Sequence, residues 1–212
     1  ISFMKSNHET EGVVKYQLDF EPGEAPRQDI RCLNVWRSIL FELGLIGQDP
    51  ARYQGYGFGN LSQRCADDPA HFIISASQTG YIARLEPGHY VEVLGCDIAH
   101  NRVQARGALP PSSEALTHAM FYQLDASIGA VIHVHAPKLW RYGLQHGYPA
   151  SDAAVEYGTV AMAQEIARLY WHGDLSSRHS LMMTGHEDGV ICFGRGVDQA
   201  ALALLGIWLA SQ

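Results

Sequence analysis

The chain has no apolar run approaching the ~20 residues that a bilayer-spanning helix needs, so no membrane partner is expected. Basic residues are scarce, with 15 Lys and Arg against 22 Asp and Glu and a formal net charge of -7. That balance argues against a nucleic-acid binder, which needs a broad basic face, but leaves room for a local pocket that takes a small anion. Cysteine is limited to Cys32, Cys65, Cys96 and Cys192, with no Cys-x-x-Cys pair. The spacing disfavours a zinc ribbon or a thioredoxin-like motif and fits reduced thiols in a cytoplasmic protein. Ile1 to Ser6 lack the charged and apolar regions of a secretory signal. Repeats, low-complexity tracts and interdomain linkers are also missing. A length of 212 residues is enough for one sizeable core and short for two.

What is present is an alternation of strand-like and helix-like segments without strict βα order. Residues 1–27 read as a partly irregular N-terminal extension with a short strand near Val13 to Phe20, and residues 28–212 read as the domain. Asp29 can cap a helix carrying Ile30, Leu33, Trp36, Leu40 and Leu43 on one face. A Gly-rich stretch follows at Gly55 to Ser62. Strands are expected at His71 to Ser75, Tyr90 to Val93 and Arg102 to Ala105. Ser112 can cap the next helix, with Glu114 in its first turn. Further helices are expected over Pro137 to Leu144, Thr159 to Tyr170 and Val197 to Leu209, and buried strands at Leu181 to Met183 and Val190 to Phe193. The expected fold is a single αβα sandwich around a mostly antiparallel sheet.

The segment Ala130-Val131-Ile132-His133-Val134-His135 carries the most chemistry. Small and β-branched residues predict a buried strand, and alternation along it puts both imidazoles on one face. Alone, the pair fits two hydrogen-bonded core histidines as well as it fits a cation site. Glu114 and His186 could complete a set of one carboxylate and three imidazoles, which suits a divalent first-row metal, zinc above all. A glutamate beside such a metal can act as a general base while the metal polarises a carbonyl. Three loops could bind an anion: Gly59-Asn60, Ser77-Gln78-Thr79-Gly80, and Ser112-Ser113 at a helix N-terminus. His118 lies one turn after Glu114 and reads as a partner of the site or a core histidine. Arg64 and Lys138 could help to hold an anion, though solvated charge is the commoner role for both.

Taken together, Gly59-Asn60-Leu61-Ser62, Thr79-Gly80, Pro111-Ser112-Ser113-Glu114 and His133-Val134-His135-Ala136 resemble, in order, the motifs of the class II aldolase/adducin family. The resemblance covers about residues 30 to 210. It implies a metal held by His133, His135 and a downstream histidine, with Glu114 as metal neighbour and acid/base. It also implies phosphate contacts at Asn60, Thr79, Gly80, Ser112 and Ser113, and usually a homotetramer. The implied activity is aldolase-type cleavage of a small phosphorylated or carboxylated keto-sugar through a metal-stabilised enediolate. Epimerase, dehydratase and decarboxylase chemistry on the same site are the alternatives, and a non-catalytic adducin-like scaffold is a third. One departure stands out. The family's third histidine is normally followed at once by glycine, whereas this chain reads His186-Glu187-Asp188-Gly189. Either two residues are inserted after a ligand His186, or Asp188 takes the ligand's position. Tyr142, Tyr148 and Tyr157 are the tyrosines that could face substrate.

Overall fold

A computed structural model describes residues 14–212. Ten strands are formed: β1 (Gln17–Pro22), β2 (Gly47–Gln48), β3 (Gly57–Phe58), β4 (Asn60–Arg64), β5 (Phe72–Ser75), β6 (Tyr90–Asp97), β7 (Arg102–Gly107), β8 (Ala130–His135), β9 (Ser180–Met183) and β10 (Gly189–Gly194). The helices are α1 (Arg31–Glu42), α2 (Ala115–Leu124), α3 (Pro137–Gln145), α4 (Val160–His172), α5 (Leu175–Arg178) and α6 (Val197–Ala210).

Eight strands form one sheet in the order β1-β7-β6-β5-β4-β8-β10-β9. Its pairings are antiparallel except for β1 alongside β7. Strand alternation splits the core into two layers. Ile74, Val131, Ile191 and Phe193 face one side with Leu116, Phe121, Met162 and Ile166 from α2 and α4. Ile73, Ile132, Val134 and Val190 face the other with Leu33, Leu40, Leu139 and Leu204 from α1, α3 and α6. This is the expected αβα sandwich. No described helix is long and apolar enough to cross a membrane.

Several elements differ from the sequence reading. The N-terminal strand runs Gln17–Pro22 and joins the large sheet as an edge; Val13 lies outside the described residues. The Gly-rich stretch contains β3 and the start of β4, and β4 is a central strand whose Leu61 and Ser62 are fully buried. Glycines and polar side chains hid it, because its backbone pairing to β5 and β8 is set by distant residues. The second helix begins two residues later than the cap pattern suggests. An isolated bridge between Ala76 and Pro111 keeps the chain extended, so Glu114 takes the N-cap position and Ser112 Oγ accepts a bond from the Glu114 amide at 3.3 Å. Similarly, Ile30 rather than Asp29 is the N-cap of α1, while Asp29 Oδ1 accepts from the Arg31 amide.

Candidate metal and anion site

His133 and His135 project from β8 on the same side as Val131, towards the α2 and α4 layer. β10 runs antiparallel to β8, with Gly189 opposite His135 and Ile191 opposite His133. The turn before β10 delivers His186 to the same place. His133 Nε2 lies 3.1 Å from His135 Nε2, which lies 3.1 Å from His186 Nε2. The three rings are buried, and together they form the one described cluster able to hold a metal, with ligand atoms within 4.8 Å of one another. Gly189 makes the approach feasible: a Cβ there would sit 2.8 Å from His186 Cδ2 and 3.3 Å from His133 Cε1.

The donor geometry fits a cation. A neutral imidazole nitrogen has one in-plane site, either a proton or a lone pair. His135 Nε2 faces two other Nε2 atoms, and one proton cannot satisfy both contacts. A central divalent ion with Zn–N bonds of about 2.0–2.1 Å would put tetrahedral ligands ~3.3 Å apart, close to the observed spacing. Burial, and then the neighbouring His186, holds His133 and His135 far below the ordinary imidazole pKa. Both therefore present neutral rings, the form that binds metal.

Glu114, at the start of α2, brings Oε1 to 3.7 Å from His186 Nε2. It stands beside the three-histidine cluster rather than within it. Asp188 is directed elsewhere: its Oδ2 accepts a hydrogen bond from Tyr53 at 2.9 Å. His118 is a neutral core residue, pushed down to about 3 by burial. Its Nδ1 is 2.7 Å from Ser62 Oγ, which also meets Tyr122 Oη at 2.6 Å.

The expected anion-binding residues line one cleft: Asn60, Thr79, Gly80, Ser112 and Ser113, with Gly57, Gly59, Ala76, Ser77 and Gln78. Asn60 is in register with His133 on the adjacent strand, which ties this cleft to the histidines. The buried Asn60 Oδ1 has no hydrogen-bond partner among the described residues. Such an orphaned acceptor is costly unless a ligand hydroxyl donates to it, and a turned amide would present its Nδ2 donors to an anion instead. Among the described residues no charged side chain lines the cleft, so neutral donors and backbone would bind the anion. Gly80 allows the loop to close on the backbone: a Cβ there would meet the Gly47 carbonyl oxygen at 2.3 Å.

Two residues near the site were not flagged by the sequence. Arg37 is buried beneath the cleft and donates to the carbonyls of Thr79, Gly80 and Ala83. Its signal was present, because position 37 falls on the apolar stripe of α1 between Leu33 and Leu40. Tyr53 packs its ring edge-on to His135 at 4.5 Å, and nothing local in the sequence points to it. Of the three tyrosines considered, Tyr157 is buried with its ring 4.3 Å from that of His186. Tyr142 stacks on His146, and Tyr148 lies under Arg178. Arg64 donates to the carbonyls of Pro69, Tyr122, Asp125 and Ile128, while Lys138 is exposed on α3.

The family model of the class II aldolase and adducin N-terminal domain matches residues 51–207. The chain belongs to this family. Among solved structures it is similar to an L-fuculose 1-phosphate aldolase, with 20% identity, a TM-score of 0.64 and coverage of 88% of this chain and 85% of the other. It is also similar to a sugar-phosphate aldolase from Thermotoga maritima, at 16% identity and TM-score 0.62, covering 86% and 91%. YgbL from Escherichia coli is 17% identical with TM-score 0.62, covering 84% of both chains. These likenesses establish the class II aldolase fold. No curated protein matches the chain. Class II aldolases typically depend on a divalent metal, and the histidine triad could bind one.

Proposed function

We propose that this family member is a divalent-metal-dependent lyase of the aldolase type that cleaves a small phosphorylated or carboxylated keto-sugar. The convergence of the His133, His135 and His186 Nε2 atoms at 3.1 Å carries the reading. Three imidazoles favour zinc among divalent ions, with other late first-row metals as substitutes. A bound cation would polarise the substrate carbonyl and stabilise the enediolate formed on carbon–carbon cleavage.

The chain's own residues do the rest. His133, His135 and His186 are the metal ligands of this reading. Asn60, Thr79, Gly80, Ser112 and Ser113 hold the phosphate or carboxylate, placing the scissile bond beside the histidines. Glu114 is the acid/base and an adjacent metal neighbour. In the cleavage direction it moves one proton: the hydroxyl that becomes the aldehyde carbonyl gives it up as the carbon–carbon bond breaks, and the carbon that has lost its partner receives it; the reverse direction runs the same transfer backwards. Burial of Glu114 keeps bulk water from competing for the transfer. A cytoplasmic homotetramer belongs to the same proposal: the tetramer follows the family resemblance, and the scattered cysteines suit a reducing compartment.

The test is elemental analysis of protein purified without added metal, combined with retro-aldol assays on keto-sugar phosphates followed by NMR. One divalent ion per chain and turnover that His133→Ala abolishes are expected. Epimerised, dehydrated or decarboxylated products would reassign the reaction. A tetramer with neither metal nor turnover would make the chain a scaffold of the adducin kind.

A further inference from the structure

The loop between β2 and β3 reaches His135 at the end of β8. Tyr53 and Gln54 at its tip have φ of 47° and 59°, backbone that non-glycine residues adopt only where their surroundings dictate it. What dictates it here is visible. The Tyr53 ring is wedged edge-on between Phe58 at 5.1 Å and His135 at 4.5 Å. Its hydroxyl donates to Asp188 Oδ2 at 2.9 Å and accepts from Arg52 Nη2 at 2.7 Å. The same Arg52 nitrogen reaches the His135 carbonyl at 3.4 Å.

Asp188 is itself left-handed, with φ 60°. It sits inside the His186–Gly189 turn that departs from the family pattern. That turn is closed by the Gly189 amide donating to the His186 carbonyl at 3.0 Å. It is pinned to β8 by the Ala136 amide donating to the Asp188 carbonyl, also at 3.0 Å. The extra residues after His186 therefore supply a side-chain handle, and Tyr53 holds it.

We propose that Tyr53 is a positioning residue of the metal centre. Its ring backs His135, and its hydroxyl, acting through Asp188, fixes the turn that carries His186. The 49–56 loop thereby sets the spacing of the third imidazole against the first two. The inference rests on the metal reading above and deepens it. Groups that orient metal ligands typically alter affinity 10- to 100-fold when removed.

The experiment measures Zn2+ affinity by competition with a chromophoric chelator, and the visible spectrum of the Co2+-loaded protein, in four forms of the full chain. Tyr53→Phe keeps the ring and deletes the hydroxyl. Asp188→Gly deletes the carboxylate and suits the left-handed backbone. The double variant closes the cycle with wild type. Each single change is expected to weaken Zn2+ binding roughly tenfold and to shift the Co2+ bands. The double change should lose no more than the worse single one, because both cut the same link. Affinity within twofold of wild type for Tyr53→Phe, or losses that multiply, would overturn the proposal. Should Tyr53→Phe fail to fold by circular dichroism, Asp188→Gly decides alone by the same twofold criterion. Wild-type protein that takes up no Zn2+ would remove the metal reading and this inference together. Normal wild-type uptake with an unchanged variant removes this inference only.

Discussion

The proposed cation site and the neighbouring cleft proposed to take the anion are built by different means. The cation side is made of side chains: three imidazoles from one strand and one turn, held by packing against Tyr53, Tyr157 and Gly189. The anion side is made largely of backbone and short hydroxyls on three segments, with the buried Arg37 tying down the Thr79 and Gly80 carbonyls. Side-chain sites fail when one ligand is lost or displaced by a few tenths of an ångström. Backbone cradles fail when the main chain is pushed, and tolerate the loss of single side chains. Both should therefore be most sensitive at their glycines, for opposite reasons.

Gly189→Ala should have the largest effect on the cation side. The new Cβ, 2.8 Å from His186 Cδ2, must push that ring away, while constellations of this kind need positional tolerances of about 0.5 Å. A fall in Zn2+ affinity of tenfold or more is expected, with phosphate affinity retained. An unchanged zinc titration would show that the His186 ring can shift without consequence, and the cation side would not be the rigid half.

Gly80→Ala reverses the pattern. Its Cβ would collide with main chain, at 2.3 Å from the Gly47 oxygen and 2.8 Å from Gly57 Cα. Overpacking against backbone costs about 1–3 kcal/mol, readable as a lowered urea midpoint, and the loop must move. Binding of inorganic phosphate should be lost, while Zn2+ uptake persists. Loss of both ligands together would mean that the two sides are one cooperative unit.

Smaller effects are expected from Asn60→Ala and Ser113→Ala. Each removes one polar group from a cradle that has several, worth about 1 kcal/mol, or roughly fivefold in KM for a phosphorylated substrate. A loss beyond a hundredfold from either would show that one side chain dominates, and that the cradle is not backbone-built.

Legibility from sequence followed the same division. His133 and His135 were readable because period-2 alternation is local. The helices at Val160–His172 and Val197–Ala210 were readable from apolar spacing to within a residue or two. The segments proposed to bind the anion were readable as an ordered set of motifs, and they do line one cleft. Hidden features were those fixed by long-range contact. Tyr53 meets Asp188 across 135 residues, and no periodicity encodes that meeting. β4 was hidden by the glycines just before it and by its own polar residues, although it lies between β5 and β8. Arg37 lay in between: a charge on an apolar helical stripe signals a buried role, but not that its partners are the carbonyls of the anion loop.

The smallest effect, from Thr159→Ala, asks how far the comparison extends beyond the cleft. Thr159 caps α4, its Oγ1 accepting from the Met162 amide at 3.2 Å and donating to the Glu156 carbonyl at 2.7 Å. Removing such a cap costs typically ~1 kcal/mol of stability. Tyr157, two residues earlier, lies against His186, so the cap sits at the rear of the cation side and away from the anion cradle. If each half is held by its immediate contacts, Thr159→Ala lowers the urea midpoint and leaves zinc and phosphate affinities within twofold of wild type. A drop in zinc affinity alone would place the start of α4 within the support of the His186 ring. The rigid half would then extend one layer deeper than the three imidazoles and the loop that backs them.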